Sequence, residues 1–225
     1  MKKFMALLLV AGMTLSLTAC GGSTDTAKTD QADGKDTFTV GFDQDFPPFG
    51  YVGDDGEFTG FDIEMATECA ARMGKKIVLQ PIDWDAKDME LEAGTIDCIW
   101  NGFTMNGRED QYTWTDPYMD NSQVVVVKKD SGINTLADLA GKVVEVQKES
   151  AAETALNDEE HADLMASFAQ LLSVGEYNTA FMDLESGAVD AVAIDIGVAQ
   201  FQIEGKEDQY QICLLYTSDA ADEAR

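Results

Sequence analysis

The alternation of apolar and polar positions along the chain separates into short runs of two kinds. Thr37–Phe42 alternates and is rich in β-formers, which predicts a first strand. Asp43–Tyr51 (DQDFPPFGY) cannot continue it, because Pro47 and Pro48 forbid regular pairing. Tyr51–Phe61 reads as a hairpin turning at Asp54-Asp55-Gly56. Asp62–Met73 places Ile63, Ala66, Ala70 and Met73 at helical spacing, and Gly74 stops the helix. Lys76–Ile82 predicts a strand. Asp85–Ala93 predicts a helix capped by Asp85 and ended by Gly94, and Thr95–Trp100 a buried strand. This β-α-β-α-β order is that of an open α/β sheet. A second α/β unit follows. Gln123–Val127 (QVVVV) is a fully buried strand or a connector between units, and Thr135 caps a short helix at Leu136–Leu139. Lys142–Gln147 and Val189–Ile194 are strands. Ser150–Leu156, Asp158–Ala169, Asn178–Ser186 and Asp195–Phe201 are helical stretches.

The chain of 225 residues has room for one or two domains with a real core. With 15 basic and 42 acidic residues its net charge is −27, which repels nucleic-acid phosphates and anionic lipid. Nucleic acid is therefore excluded as a partner. The amino terminus has a basic pair, Lys2 and Lys3, an apolar run Phe4–Leu17, and then Leu17-Thr18-Ala19-Cys20, which looks like a bacterial lipobox. On this reading residues 1–19 are a lipoprotein signal peptide and Cys20 carries lipid. Residues 20–36 are then a flexible polar tether, and the protein sits outside the cytoplasmic membrane, anchored to it. The plainer alternative is an ordinary signal peptide with Cys20 as a bystander.

Cys213–Glu223 (CLLYTSDAADE) has no continuity with what precedes it and is similar to one reading frame of a transposase-type sequencing adapter. Residues 213–225 are accordingly expected to be non-native, with the natural chain cut near Ile212. Cys69 and Cys98 read as small buried apolar residues, with a disulfide between them as the alternative. His161 is the single histidine, no Cys or His cluster has metal-ligand spacing, and neither metal nor cofactor is expected.

Candidate chemistry centres on Asn101–Glu109 (NGFTMNGRE). Its glycines let backbone amides approach a ligand, Thr104 adds a hydroxyl, and Arg108 supplies a planar fork that matches a carboxylate. The plainer reading is a strand-to-helix turn with a surface Arg108 paired to Glu109 or Asp110.

From Thr37 to Gly205 the chain resembles the extracellular solute-binding proteins of ABC importers for polar amino acids (family 3). The resemblance rests on collinear motifs: VGFDQDFPPFGY, FTGFDIEMA, LEAGTIDCIWNGFT with its following Arg, TDPYMDNSQVVVV, LAGKVVEVQKES and SGAVDAVAID. It implies the two-lobe α/β periplasmic-binding-protein fold of type II, here C-terminally truncated. Lobe 1 is discontinuous and expected over 37–121, lobe 2 over 122–200, and the start of a return segment over 201–212. It implies a monomeric receptor that is not an enzyme and captures a free amino acid between its lobes for ABC importer membrane subunits. By the same resemblance, Asp43 and Phe46 touch the ligand from the first loop, and Trp84 forms an aromatic wall. Gly102, Thr104 and Arg108 hold the α-carboxylate, Ser150 is a second-lobe contact, and Asp195 pairs with the α-ammonium. The chain departs from the family pattern in one residue fewer between Thr104 and Arg108, so that the amide of Phe103 competes for the role of Thr104. It also has Glu149 where a glycine is usual before the second-lobe hydroxyl, and Ala151 where a hydroxyl residue is common.

The chemistry is consistent with that assignment. A zwitterion leaving water needs a cationic fork at one end and a carboxylate at the other, and Arg108 and Asp195 supply them from different lobes. Phe46 and Trp84 give apolar faces that shed water. Each has a plainer alternative: Phe46 and Trp84 as core, Asp195 as a helix cap, Asp43 as a turn cap, and Gln123 as a structural residue of the connecting strand. Two other functions compete. One is a dehydratase acting on prephenate or arogenate on the same fold, and the other a ligand-binding sensor.

Overall fold

The computed structural model describes residues 36–217, so the expected signal peptide, Cys20 and nearly all of the tether lie outside the described residues. The first lobe is built on a parallel three-stranded sheet. Strand β1 (Thr37–Phe42) pairs with β5 (Lys76–Pro81) on one side and with β6 (Cys98–Ile99) on the other. The carboxyl end of β1 is buried at Val40, Gly41 and Phe42, and helix α1 (Phe61–Arg72) buries Ile63, Ala66 and Ala70.

Between β1 and α1 lies a small antiparallel sheet of β2 (Asp45–Phe46), β3 (Gly50–Val52) and β4 (Phe58–Thr59). The chain turns after β2 through a cis Pro47–Pro48 bond, with the Phe49 amide donating to the Phe46 carbonyl at 3.0 Å. Gly60 is required here. It has φ 123°, and a β-carbon on it would lie 2.4 Å from the Phe49 carbonyl oxygen.

The second lobe is a five-stranded sheet in the order β11-β7-β10-β8-β9. Its members are β7 (Ser122–Lys128), β8 (Val143–Gln147), β9 (Gln170–Val174), β10 (Ala191–Asp195) and β11 (Tyr210–Thr217). Strands β8, β9 and β10 are parallel to one another, and β7 is antiparallel to both β10 and β11. Gln123–Val127 is buried on both faces, as a run of valines predicts for a sheet covered by helices on each side. Val124, Val126, Val192 and Ile194 face α5 (Tyr177–Ser186) and α6 (Ile196–Ile203). Val125, Val127, Ala191 and Ala193 face α3 (Ala151–Leu156) and Leu139.

Several elements differ from the sequence pattern. The Thr95–Trp100 strand shrinks to the two residues of β6. Ile96 instead fills the space over Gly41, and Asp97 turns back to clamp β1 by accepting from the Thr39 amide at 2.8 Å. Asp85 does not cap its helix. A single 3-10 turn spans Trp84–Ala86, α2 runs Lys87–Ala93, and the Asp85 carboxylate pairs with Lys148 at 2.7 Å. The stretch Asp158–Ala169 divides into a 3-10 turn and α4 (Ala162–Ser167), followed by β9, an edge strand that the pattern did not separate. The helix at Leu136–Leu139 is 3-10, with the capping box of Thr135 and Asp138. Cys69 and Cys98 are free thiols, and burial pushes Cys98 up to about 12. Residue 200 falls inside α6, and residues 213–217 of the expected tail pair with β7 as the outer strand of the second sheet.

Candidate ligand-binding cleft

The lobes meet over a cleft lined by Phe46, Trp84, Gly102, Thr104, Arg108, Ser150 and Asp195, with Asn101, Phe103, Gln147 and Ala151 between them. Each comes from the end of a strand or the start of a helix. Phe46 ends β2, Trp84 follows β5, the 101–108 loop follows β6, Ser150 is the N-cap of α3, and Asp195 ends β10. Ligand groups at strand carboxyl ends are the general arrangement of open α/β sheets.

Arg108 is 7% exposed. Its Nη1 donates to the Thr104 carbonyl (3.3 Å), and its Nη2 to the Glu149 carbonyl (3.2 Å) and the Thr154 hydroxyl (3.1 Å). Its guanidinium lies 5.2 Å from the Phe103 ring centroid. No carboxylate pairs with it among the described residues, so the surface pairing with Glu109 or Asp110 does not form. Burial pulls its ionisation below the usual value, and the fields of Tyr112 and Asp195 oppose that shift.

Asp195 is 4% exposed and stands at the N-cap position of α6, yet its side chain makes no cap bond. Its Oδ1 accepts instead from Gln123 Nε2 at 2.8 Å and from Asn121 Nδ2. Burial raises its pKa. The bonds from Gln123 and Asn121 and the charge of Arg108 act against that rise. Two buried, opposite charges thus line one cleft, each held by neutral partners.

The remaining positions divide. Phe46 belongs both to the core, against Phe49 and Tyr177, and to the cleft wall. Trp84 is buried, with Nε1 donating to the Glu149 carbonyl at 3.3 Å and its ring edge-on to Phe103 at 5.0 Å. The Ser150 hydroxyl caps α3 by accepting from the Glu153 amide at 3.1 Å. Thr104 Oγ1 accepts from Asn121 Nδ2 at 3.1 Å. The Gly102 amide is committed to the Tyr118 hydroxyl at 3.0 Å, so it does not donate into the cleft. Asp43 stands behind the lining: its carboxylate takes the Asp45 amide (2.8 Å), as the turn-cap alternative expects, and Gln147 Nε2 (2.7 Å). Burial pushes Asp43 up to about 6. Gln123 lies in β7 and acts through Asp195.

Sequence reasoning had no role for Gln147, which links Asp43 to the Gly175 carbonyl (2.9 Å), or for Asn101, whose Oδ1 accepts the Asp43 amide at 2.8 Å. Their only sequence signal was position, at the end of a predicted strand and at the head of the glycine-containing loop.

Residues 38–184 match the bacterial extracellular solute-binding proteins, family 3. The chain belongs to that family. The arginine-binding extracellular protein ArtP of Bacillus subtilis is 30% identical over 210 residues, covering 92% of this chain and 78% of that protein. The L-cystine-binding protein TcyJ of Escherichia coli is 31% identical, covering 85% and 69%. Among solved structures, a substrate-binding protein of an ABC uptake transporter from Streptococcus pneumoniae with bound histidine has a TM-score of 0.74 at 34% identity, covering 82% of this chain and 75% of that one. An ancestral arginine-binding protein bound to arginine has a TM-score of 0.73 at 31% identity, covering 84% and 87%. Family membership and these likenesses agree with the two-lobe type II fold.

Proposed function

We propose that this protein captures a free polar amino acid between its lobes and delivers it to the membrane subunits of an ABC importer. One observation carries the reading. Arg108 and Asp195 are buried and opposite in charge, line the same cleft, and form no ion pair among the described residues. Burying two ionisable groups without ionic partners is costly, and an α-amino acid brings both partners at once. Its carboxylate would take the Arg108 fork in place of the neutral acceptors, and its ammonium would face the Asp195 oxygen that Gln123 and Asn121 leave free. Phe46, Trp84 and Phe103 exclude water around it. The relatives named for arginine, cystine and histidine support this class of ligand.

The protein binds its ligand without turning it over, as a monomer held outside the cytoplasmic membrane by lipid on Cys20. A thermal-shift screen of the amino acids, each paired with its deaminated analogue, tests the reading. A rise in melting temperature with one or a few amino acids, absent with the analogues and in Arg108→Ala, is expected by mass action. No shift with any amino acid would overturn it. Incubation with prephenate or arogenate is expected to give no product.

A further inference from the structure

The dipeptide Asn-Gly occurs twice in the chain, at 101–102 and at 106–107, both times in the loop that follows β6. In this pair the backbone nitrogen reaches the side-chain amide carbon with least hindrance, because the second residue has no side chain. Attack closes a cyclic imide and expels ammonia, which is what makes asparagine thermolabile. The fold treats the two copies differently. Asn101 is 3% exposed, and its Oδ1 accepts the Asp43 amide at 2.8 Å. The Gly102 amide donates to the Tyr118 hydroxyl at 3.0 Å, and that hydroxyl donates to the fully buried Asp62 at 2.9 Å. A β-carbon on Gly102 would lie 3.4 Å from the Phe49 ring, so the peptide between Asn101 and Gly102 has little room to turn. Asn106 and Gly107 are both exposed. They form the corner of a turn closed by the Arg108 amide on the Met105 carbonyl (2.8 Å), with Gly107 at φ 78°. A β-carbon on Gly107 would meet nothing within 4 Å, so the 106–107 peptide is free to turn. The Gly107 amide donates to Glu109 Oε1 at 3.1 Å, which puts a carboxylate on the proton that has to leave.

We propose that Asn106 is a site of spontaneous covalent modification, and that its conversion to aspartate and isoaspartate weakens the hold of Arg108 on a ligand carboxylate. The Gly107 nitrogen bonds to the Asn106 side-chain carbonyl carbon, and its proton passes to Glu109. The bond from that carbon to Nδ2 breaks, and Nδ2 leaves as ammonia with a proton returned by Glu109. Water then opens the imide at one of its two carbon–nitrogen bonds. One opening restores the main chain with aspartate at position 106. The other routes the main chain through the side-chain carbons and gives isoaspartate, with one more backbone atom. The net change is water taken up, ammonia released and one negative charge gained, with no oxidant or second protein required. The added atom falls inside the turn from Met105 to Arg108, and the Arg108 guanidinium is tied back to the Thr104 carbonyl at 3.3 Å. A loop closed at both ends passes the change on to Arg108. This consequence rests on the reading of the cleft as an amino-acid site. The modification itself does not, and its participants, Asn106 to Glu109, are near neighbours in sequence, so it does not depend on how the lobes stand.

The test ages full-length protein over days at physiological temperature and mildly alkaline pH, and reads each asparagine by peptide mass spectrometry. Asn106 is expected to gain one mass unit about tenfold or more faster than Asn101, where attack has to wait for local opening. Hydroxylamine should cleave the aged chain between residues 106 and 107. Asn106→Gln, whose longer side chain closes an imide slowly, should stay intact at that position. Glu109→Gln should slow conversion about tenfold or more, and an unchanged rate would remove Glu109 from the mechanism. Titration with L-arginine, L-histidine and L-cystine reads the consequence. Whichever binds the fresh protein should bind the isolated isoaspartate form about tenfold more weakly, while aged Asn106→Gln binds as it did when fresh. An intact Asn106 after ageing, or conversion of Asn101 at the same rate, would overturn the proposal. Full affinity in the isoaspartate form would overturn its consequence. Because the covalent change is read by mass with no amino acid present, its outcome is independent of the ligand screen.

Discussion

Asp195→Asn separates what the cleft does for folding from what it does for binding, because the two effects have opposite signs. The Asp195 carboxylate is 4% exposed, and its two protein donors, Gln123 Nε2 and Asn121 Nδ2, both reach Oδ1. An asparagine in the same rotamer keeps both bonds and removes the charge. In the ligand-free protein this relieves a buried charge that has no ion pair, which should stabilise the fold by about 1–3 kcal/mol at neutral pH. In the complex the same change replaces the acceptor of an ammonium with a second donor. Losing one partner of a buried charge pair costs about 2–5 kcal/mol, or roughly 30- to 5,000-fold in Kd.

Urea denaturation without ligand and calorimetric titration with the amino acid found by the screen measure the two halves. The pH dependence follows from the direction of the Asp195 shift. Burial raises the folded pKa above the unfolded one, so the empty folded state holds an extra proton in a window above 3.8, and stability falls as pH rises through that window. Asparagine should remove that slope. Ligand binding, which needs the ionised carboxylate, should weaken as pH falls through the same window. An empty variant less stable than wild type by more than about 1 kcal/mol would show that the carboxylate is a structural acceptor. Undiminished affinity would show that no ammonium faces it.

Three further outcomes are expected. Gly60→Ala should destabilise the protein by about 2–4 kcal/mol, since its β-carbon would meet only backbone, 2.4–2.8 Å from the Phe49 and Pro48 carbonyls, at φ 123°; a loss below about 0.5 kcal/mol in urea melts would refute the packing at that turn. Asp43 is pushed from 3.8 up to about 6, so its contribution to stability is present below the unfolded pKa and is lost as pH rises through about 6, a swing of about 3 kcal/mol. Denaturation curves from acid to neutral pH should show that fall, and Asp43→Asn should flatten it. Expressed in bacteria with radiolabelled palmitate, the protein should take up label and Cys20→Ala should not; label in the variant would place the lipid elsewhere.

The periodic runs and the order of motifs were enough to read an α/β chain in two units and to single out Arg108 and Asp195, which the structure brings to one cleft, because both readings rest on local or collinear properties of the sequence. Arg108 announces a carboxylate fork by residue type alone. The alternation in Thr37–Phe42, the valines of β7 and the glycines closing α2 and α5 each specify their element through backbone preference and burial. What was not legible depends on contacts between distant positions. Thr95–Trp100 looks like a strand, but packing over Gly41 and the Asp97 clamp on β1 leave two residues to pair. Asp195 looks like a helix cap, and only the arrival of Asn121 and Gln123 from more than 70 positions away turns its carboxylate from the helix to the cleft. Gln147 gains a role only because Asp43, 104 positions earlier, lies beside it in the folded protein. Glu149 stood out in the sequence as a departure from glycine. That its side chain and carbonyl reach Lys87, Trp84 and Arg108 was decided by the tertiary structure, since a hydrogen bond across a cleft has no periodicity to read.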